Sequence, residues 1–359
     1  DLVCLLTPSG ERTAQPSTRI TDEAAQLADF YRDMVLIRRM DTEAYALQRH
    51  GELGLWAPLF GQEAAQIGAG RALATQDWVF PSYREHGIGW CRGIGPEQLL
   101  GTFRGTEMSG WDPNEYRYAF GQIIIGAQTL HGVGYAIGLQ LDGLVGNDDP
   151  SRDTAVLTAF GDGATSQGAV AEAMMWAASH QAPVVFFCQN NHYAISVPVS
   201  RQSRTPLADR AKGFGFDGVR VDGNDVLACY DTVGAALDKA RAGGGPTLIE
   251  AVTYRRGPHT TSDDPSRYRE SLEEQDWAKR DPIDRVRLRL EALGTAPDFF
   301  AAIDAEAETL GARTRAACLA LPEPDLGELF DNVFVEPDAH LRAQQAEYRS
   351  WNHLTGGAA

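Results

Sequence analysis

Asp153–Pro198 reads DTAVLTAFGDGATSQGAVAEAMMWAASHQAPVVFFCQNNHYAISVP, and the reading of this stretch decides the fold. Ala155 to Phe160 is a short, β-prone apolar run, the pattern of a buried strand. Gly161-Asp162-Gly163 makes a sharp turn. Gly168 to His180 is rich in Ala and Met with apolar residues all round, which predicts a buried helix. Pro183 ends that helix and starts a second apolar run, Val184 to Cys188, which stops at Gln189-Asn190-Asn191. Strand, acidic turn, helix, strand and amide turn make one βαβ unit of a parallel sheet.

Both strands of such a unit run the same way, so their carboxyl ends lie side by side. Asp162 and Asn191 then meet at the sheet edge where α/β folds bind ligands. A carboxylate, an amide oxygen and a free backbone carbonyl are hard oxygen ligands. They suit Mg²⁺, which keeps few protein ligands and takes the rest from phosphate and water. The glycines allow an anion close to the backbone, and the following helix N-terminus favours negative charge. The unit predicts a metal–diphosphate site.

The 359 residues are enough for one large domain or two, and 43% apolar with 23% charged residues is an ordinary globular profile. The net charge of −17 argues against nonspecific binding to nucleic acid or an anionic membrane. No apolar stretch approaches the roughly 20 residues of a membrane span. Phe186-Phe187 and Ile123 to Ile125 read as core patches instead. Cys4, Cys91, Cys188, Cys229 and Cys318 are scattered without a CxxC pair, which indicates neither zinc nor a disulfide framework and suits a reducing cytoplasm. Asp1-Leu2-Val3 has neither a methionine nor a signal-peptide n-region, so the native start is expected upstream.

Outward from the opening unit, residues 1–20 read as an extended arm broken by Pro8, Gly10 and Pro16. Helical periodicity runs from Asp22 to Arg49, and Gly61-Gln62-Glu63 opens an Ala-rich helix to about Leu73. Trp78 to Tyr83 predicts a short strand ending in Ser82-Tyr83-Arg84-Glu85-His86, either a ligand-binding loop or a surface salt bridge. Gly132-Val133-Gly134 with Gly138 faintly echoes a dinucleotide fingerprint. The third glycine is one place late and no strand directly precedes, so close helix packing is the better account. Val219 to Asp222 and Thr247 to Tyr254 predict further strands, and a long polar loop, Arg255 to Asp264, follows the second. Residues 291–359 read as a helical C-terminal extension, which leaves 21–290 as the ligand-binding domain.

GDGATSQG followed by VVFFCQNNHYAISVP resembles the thiamine-diphosphate motif, a GDG separated by about thirty residues from a double Asn. GQEAAQIG, VFPSYREHG, IIIGAQ, VRVDGNDV, GPTLIEAVTYR and GPHTTSDDPSRYR extend the likeness over roughly residues 20–290. Together they resemble the α subunit of the heterotetrameric 2-oxo acid dehydrogenase E1 component. The resemblance implies an α/β thiamine-diphosphate-binding fold, a parallel sheet flanked by helices, with an extended N-terminal arm and a helical C-terminal part. It implies Mg²⁺ on Asp162, Asn191 and the Tyr193 carbonyl, and the diphosphate on Gly161, Gly163, Ala164, Tyr83 and Arg84. Ile123 and Ile125 would line the cofactor, with Ile125 propping it into a bent shape. Gln189 stands where some branched-chain relatives place a diphosphate-binding arginine, and Pro258 replaces a histidine that precedes the active-site His in others. His259 would face the reacting centre, braced by Arg255 through Asp263 or Asp264, and Glu63 would sit in the substrate channel. Thr260 falls where mitochondrial relatives carry a regulatory phosphoserine.

In this family the Glu that activates the aminopyrimidine belongs to a separate β subunit. The expected assembly is an α2β2 heterotetramer that decarboxylates a 2-oxo acid and acylates the lipoyl domain of an E2 acyltransferase. GDGATS, FFCQNN, AISVP and TTSDD look like branched-chain members, while IIIGAQ, Gln189 and GPHT look like bacterial pyruvate members. The preference falls on a branched-chain 2-oxo acid, with pyruvate or acetoin dehydrogenase as the alternative. A catalytically dead assembly paralogue and a nicotinamide oxidoreductase built on Gly132 are the readings from other classes. Retention of Asp162, Asn191, Arg84 and His259 argues against the first, and the glycine spacing against the second.

Overall fold

Among the described residues eight strands follow in order: β1 (Leu2–Val3), β2 (Trp78–Phe80), β3 (Val156–Gly161), β4 (Val184–Asn190), β5 (Tyr193–Ala194), β6 (Val197–Pro198), β7 (Asp217–Asp222) and β8 (Thr247–Val252). The computed structural model describes residues 2–106, 110–147, 149–322, 327–331 and 333–354. Six strands form one parallel sheet in the order β1-β7-β8-β4-β3-β2, and β5 and β6 form a separate antiparallel pair. An α/β fold with a parallel sheet flanked by helices is what the opening unit required.

Side chains alternate across the strands with period two, and each face has its own core. Leu157, Ala159, Val185, Phe187, Ile249 and Ala251 face the helices Glu23–Arg49, Glu63–Ala72 and Val226–Arg241. Val156, Phe160, Val184, Phe186 and Leu248 face Ala127–Leu141 and Gly168–His180. The helix Pro297–Ala320 adds Phe300, Ile303 and Leu310 to the first core.

Four local expectations change. The arm is partly regular: Leu2–Val3 pairs in parallel with β7, and the Asp225 carboxylate accepts the Leu5 and Leu6 N–H groups, both at 2.6 Å. The helix Gly168–His180 is buried on one side only, through Val170, Ala173, Met174 and Ala177, while Met175 and Trp176 face outward. Its apolar character all round therefore exceeds what this chain buries. The Ile123–Ile125 run is no core patch, because it is 65%, 74% and 39% exposed along its length. Of the three glycines, Gly132 alone packs closely, where a Cβ would lie 3.3 Å from Thr158, and Gly134 and Gly138 face open space.

Register fixes the site. Gly161 lies opposite Gln189, and Asn190 opposite Val252, so β3, β4 and β8 end side by side. With β2 beside β3, the four strands deliver the Ser82–Arg84 segment, Asp162, Asn191 and Arg255 to one edge.

Candidate active site

A cavity of about 210 Å³ opens at this edge. Tyr83, Arg84, Ile125, Gly161, Asp162, Gly163, Ala164, Gln189, Asn191, Tyr193 and His259 all line it. Ile123 lies in a neighbouring apolar cleft with Phe103 and Trp111. Glu63 does not reach the cavity in this chain. Its side chain is fully buried, Oε1 accepts from Arg38 Nε at 2.8 Å, and Oε2 accepts the Gly61 N–H at 3.0 Å. A carboxylate paired in this way anchors the Gly61 turn.

The floor is built from the ends of β3 and β4. After Gly161 the chain makes a 3₁₀ turn, Asp162–Ser166, closed by Thr165 Oγ1 donating to the Asp162 carbonyl at 2.7 Å. A Cβ at Gly163 would lie 2.7 Å from Ala194 Cβ, so the β5–β6 hairpin rests where a side chain would otherwise stand. A Cβ at Gly161 would meet nothing nearer than the Gln189 carbonyl at 3.9 Å, which leaves that backbone open to a ligand. One amide atom of Asn191 lies 3.2 Å from Asp162 Oδ1 and 3.2 Å from the Tyr193 carbonyl oxygen. As nitrogen that atom donates to both; as oxygen it completes a trio of oxygens that a cation would satisfy. Among the described residues no group of three or more His, Cys, Asp or Glu side chains could hold a metal, so a cation here would rest on one carboxylate plus neutral oxygens. Burial pushes the Asp162 carboxyl up, opposed first by a hydrogen bond from Gln202. Gln62 Nε2 and Gln128 Oε1, both in cavity-lining residues, are buried without a hydrogen-bond partner among the described residues, as donors and acceptors kept for a polar ligand would be.

The wall is built from loops. Arg84 Nη1 donates to the Pro58 carbonyl at 2.6 Å, and Nη2 donates to the His259 carbonyl at 2.8 Å and lies 3.2 Å from His259 Nδ1. A guanidinium only donates, so Nδ1 accepts and the proton of a neutral ring sits on Nε2. Burial, with Arg84 and Arg255 close by, pulls the His259 imidazole down to about 3 and keeps it neutral. The Asp263 carboxylate accepts the His259 backbone N–H at 2.7 Å. Arg255 reaches Asp263 by way of Tyr268: its Nη2 donates to Tyr268 Oη at 3.0 Å, and Tyr268 donates to Asp263 Oδ2 at 2.5 Å. The rest of that guanidinium holds the β5–β6 hairpin, through the Tyr193 carbonyl at 2.9 Å and the Ile195 carbonyl at 2.7 Å.

Gln189 lines the cavity with both amide atoms committed elsewhere. Its Nε2 donates to Glu85 Oε1 at 2.7 Å, and its Oε1 accepts from Gln66 Nε2 at 3.1 Å. Glu85 in turn accepts from the Ser82 N–H and Oγ, both at 2.7 Å, and burial pushes its carboxyl up. Sequence reading noted Glu85 only within its cluster and passed over Gln62, Gln128 and Gln202. Gln62 sits inside the GQE motif and Gln128 inside IIIGAQ, while no local pattern singles out Gln202.

Comparison with known proteins shows the family. The model of the family described as dehydrogenase E1 component matches residues 31–307. The chain belongs to the dehydrogenase E1 family. The 3-methyl-2-oxobutanoate dehydrogenase subunit alpha of Mycobacterium tuberculosis (strain ATCC 25618 / H37Rv) is 44% identical over 97% of this chain and 93% of its own length. The pyruvate dehydrogenase E1 component subunit alpha of Acholeplasma laidlawii is 38% identical over 90% of this chain and 93% of its own. The subunit of that name from Staphylococcus aureus (strain N315) is 41% identical over 77% and 72%. Members of the family are 2-oxo acid dehydrogenase components that depend in general on thiamine diphosphate.

Proposed function

We propose that this chain is the α subunit of a 2-oxo acid dehydrogenase E1 component that acts on a branched-chain 2-oxo acid. The observation that carries the reading is the convergence of Asp162, Asn191 and the Tyr193 carbonyl within 3.2 Å on the floor of a cavity walled by Arg84 and His259. Asp162 Oδ1, the Asn191 amide oxygen and the Tyr193 carbonyl would hold Mg²⁺, and the open backbone at Gly161, Gly163 and Ala164 would receive the diphosphate. Arg84 and Tyr83 supply donors and positive charge on the wall, and Ile125 offers an apolar prop. Thiamine diphosphate, when bound, supplies the nucleophilic carbon and the electron sink for decarboxylation. His259 carries its proton at Nε2 and, as a neutral ring, can donate a hydrogen bond from it that polarises the oxygen of the 2-oxo group.

The activating Glu of the aminopyrimidine is assigned to a β subunit, and the lipoyl domain of an E2 is assigned as acyl acceptor. Ile123, Ile124, Ile195 and Val197 leave apolar side chains exposed on the two segments that border the cavity, as a subunit contact would need. No helix among the described residues is long and apolar enough to cross a membrane, and five free cysteines suit a reducing cytoplasm.

Pyruvate is the second reading, favoured by Gln189 and by the pyruvate-named relatives. The test is kcat/KM for 3-methyl-2-oxobutanoate against pyruvate with the chain and its own β subunit. One methylene is worth about 1–3 kcal/mol, so a preference of ten-fold or more for the branched substrate is expected. A preference for pyruvate overturns the substrate, and full activity of the chain alone overturns the division between subunits.

A further inference from the structure

Asp162 does not present both carboxylate oxygens to the cavity floor. Oδ1 lies beside Asn191 at 3.2 Å, whereas Oδ2 accepts from Gln202 Nε2 at 2.8 Å. Gln202 closes the short helix Val199–Gln202 that follows the β5–β6 hairpin, so the segment carrying the Tyr193 carbonyl also returns to grip Asp162 from its other side. The amide is oriented at both ends. Its Oε1 accepts from Ser166 Oγ at 3.3 Å, and its Nε2 is shared with the Val197 carbonyl at 3.4 Å. Arg210 ties the two partners together, donating to the Thr165 carbonyl at 2.5 Å and to the Gln202 carbonyl at 3.4 Å.

We propose that Gln202 is a positioning residue for the metal site: it occupies Asp162 Oδ2 and fixes the carboxylate so that Oδ1 alone is turned to the cation. The physical reason is rotational. A carboxylate on a free χ2 offers either oxygen, or both together, to a cation. A hydrogen bond to one oxygen removes that freedom and selects one-oxygen coordination, which suits the strict octahedron of Mg²⁺ better than the larger, adaptable shell of Ca²⁺. Groups that orient a ligand in this way typically alter metal affinity 10- to 100-fold when removed.

The inference rests on the metal reading of Asp162, and the experiment separates the two. In the assembled α–β complex, Mg²⁺ is titrated at fixed thiamine diphosphate by calorimetry and by tryptophan fluorescence, for the parent, Gln202→Leu and Asp162→Asn. Gln202→Leu should raise the half-saturating Mg²⁺ about ten-fold. It should also narrow the preference for Mg²⁺ over Ca²⁺, with the melting temperature of the metal-free complex unchanged. Gln202→Asn, which keeps the amide on a shorter stem, should fall between the two. Unchanged half-saturation in Gln202→Leu overturns the proposal, and so does a fall in metal-free melting temperature with the Mg²⁺/Ca²⁺ preference intact, the mark of a merely structural contact. If Asp162→Asn binds Mg²⁺ as the parent does, the metal reading itself fails, whatever Gln202 does.

Discussion

The floor and the wall of the cavity are built by different means. Asp162 and Asn191 stand on the floor because β3 and β4 pair in parallel, Gly161 against Gln189, and backbone register leaves them little choice. His259 stands in the wall at the end of a side-chain chain, from Arg255 through Tyr268 and Asp263 to its own backbone N–H. A second clamp acts from the far side. The Trp56 N–H donates to Thr261 Oγ1 at 3.1 Å, and the Thr261 N–H donates to the Trp56 carbonyl at 3.0 Å. Ladder hydrogen bonds carry the floor's geometry cooperatively, whereas the wall depends on a few individual contacts. The floor should therefore fail all at once, and the wall by degrees.

Asp162→Ala is expected to have the largest effect, abolishing Mg²⁺-dependent cofactor binding in calorimetry and lowering kcat/KM by about 10³-fold or more. Undiminished binding would leave the floor without its assigned role. His259→Ala should cost about 10²-fold in kcat while metal half-saturation stays at the parent value. An equal loss of cofactor affinity would erase the distinction between floor and wall. Gly163→Val drives side-chain atoms into Ala194 and should destabilise the chain by about 1–3 kcal/mol in denaturant melts. Tyr268→Phe removes the hydroxyl that joins Arg255 to Asp263, worth about 1 kcal/mol. Its signature should be faster hydrogen exchange in residues 257–264 with the 161–166 turn unaltered.

The smallest effect is a pH dependence. His259 is held at about 3 against its ordinary 6.5, so across that window the unfolded chain takes up a proton that the folded chain refuses. Stability from the neutral ring is full above 6.5 and is lost as pH falls towards 3. The melting temperature of His259→Asn should drop less than that of the parent between about pH 7 and about pH 5. Parallel curves would contradict a half-buried, neutral His259.

Much of the floor was legible in residues alone, because a βαβ unit constrains both what lies at its strand ends and which ends are neighbours. Phe186 and Phe187, adjacent in sequence, go to opposite cores as period two demands. The Ile123–Ile125 run and the outer face of Gly168–His180 were misread for one reason. Apolar pattern reports a surface that avoids water, without saying whether this chain or another covers it. The GQE motif marks Glu63 and is silent on where its side chain points. Here Arg38, twenty-five positions earlier, captures it.

By itself, the sequence determined the parallel α/β architecture, the adjacency of Asp162 and Asn191, and membership of the E1 family, all properties of local periodicity and of spacing along one stretch. Only the tertiary structure decided that Gln189 turns to Glu85 and Gln66, that Arg255 reaches Asp263 through Tyr268, and that Gln202 takes one oxygen of Asp162. Partners such as Gln189 and Glu85 lie 104 residues apart along the chain. A side-chain hydrogen bond is directional and short, so which of many polar groups satisfies another is fixed only when packing brings their atoms within about 3 Å.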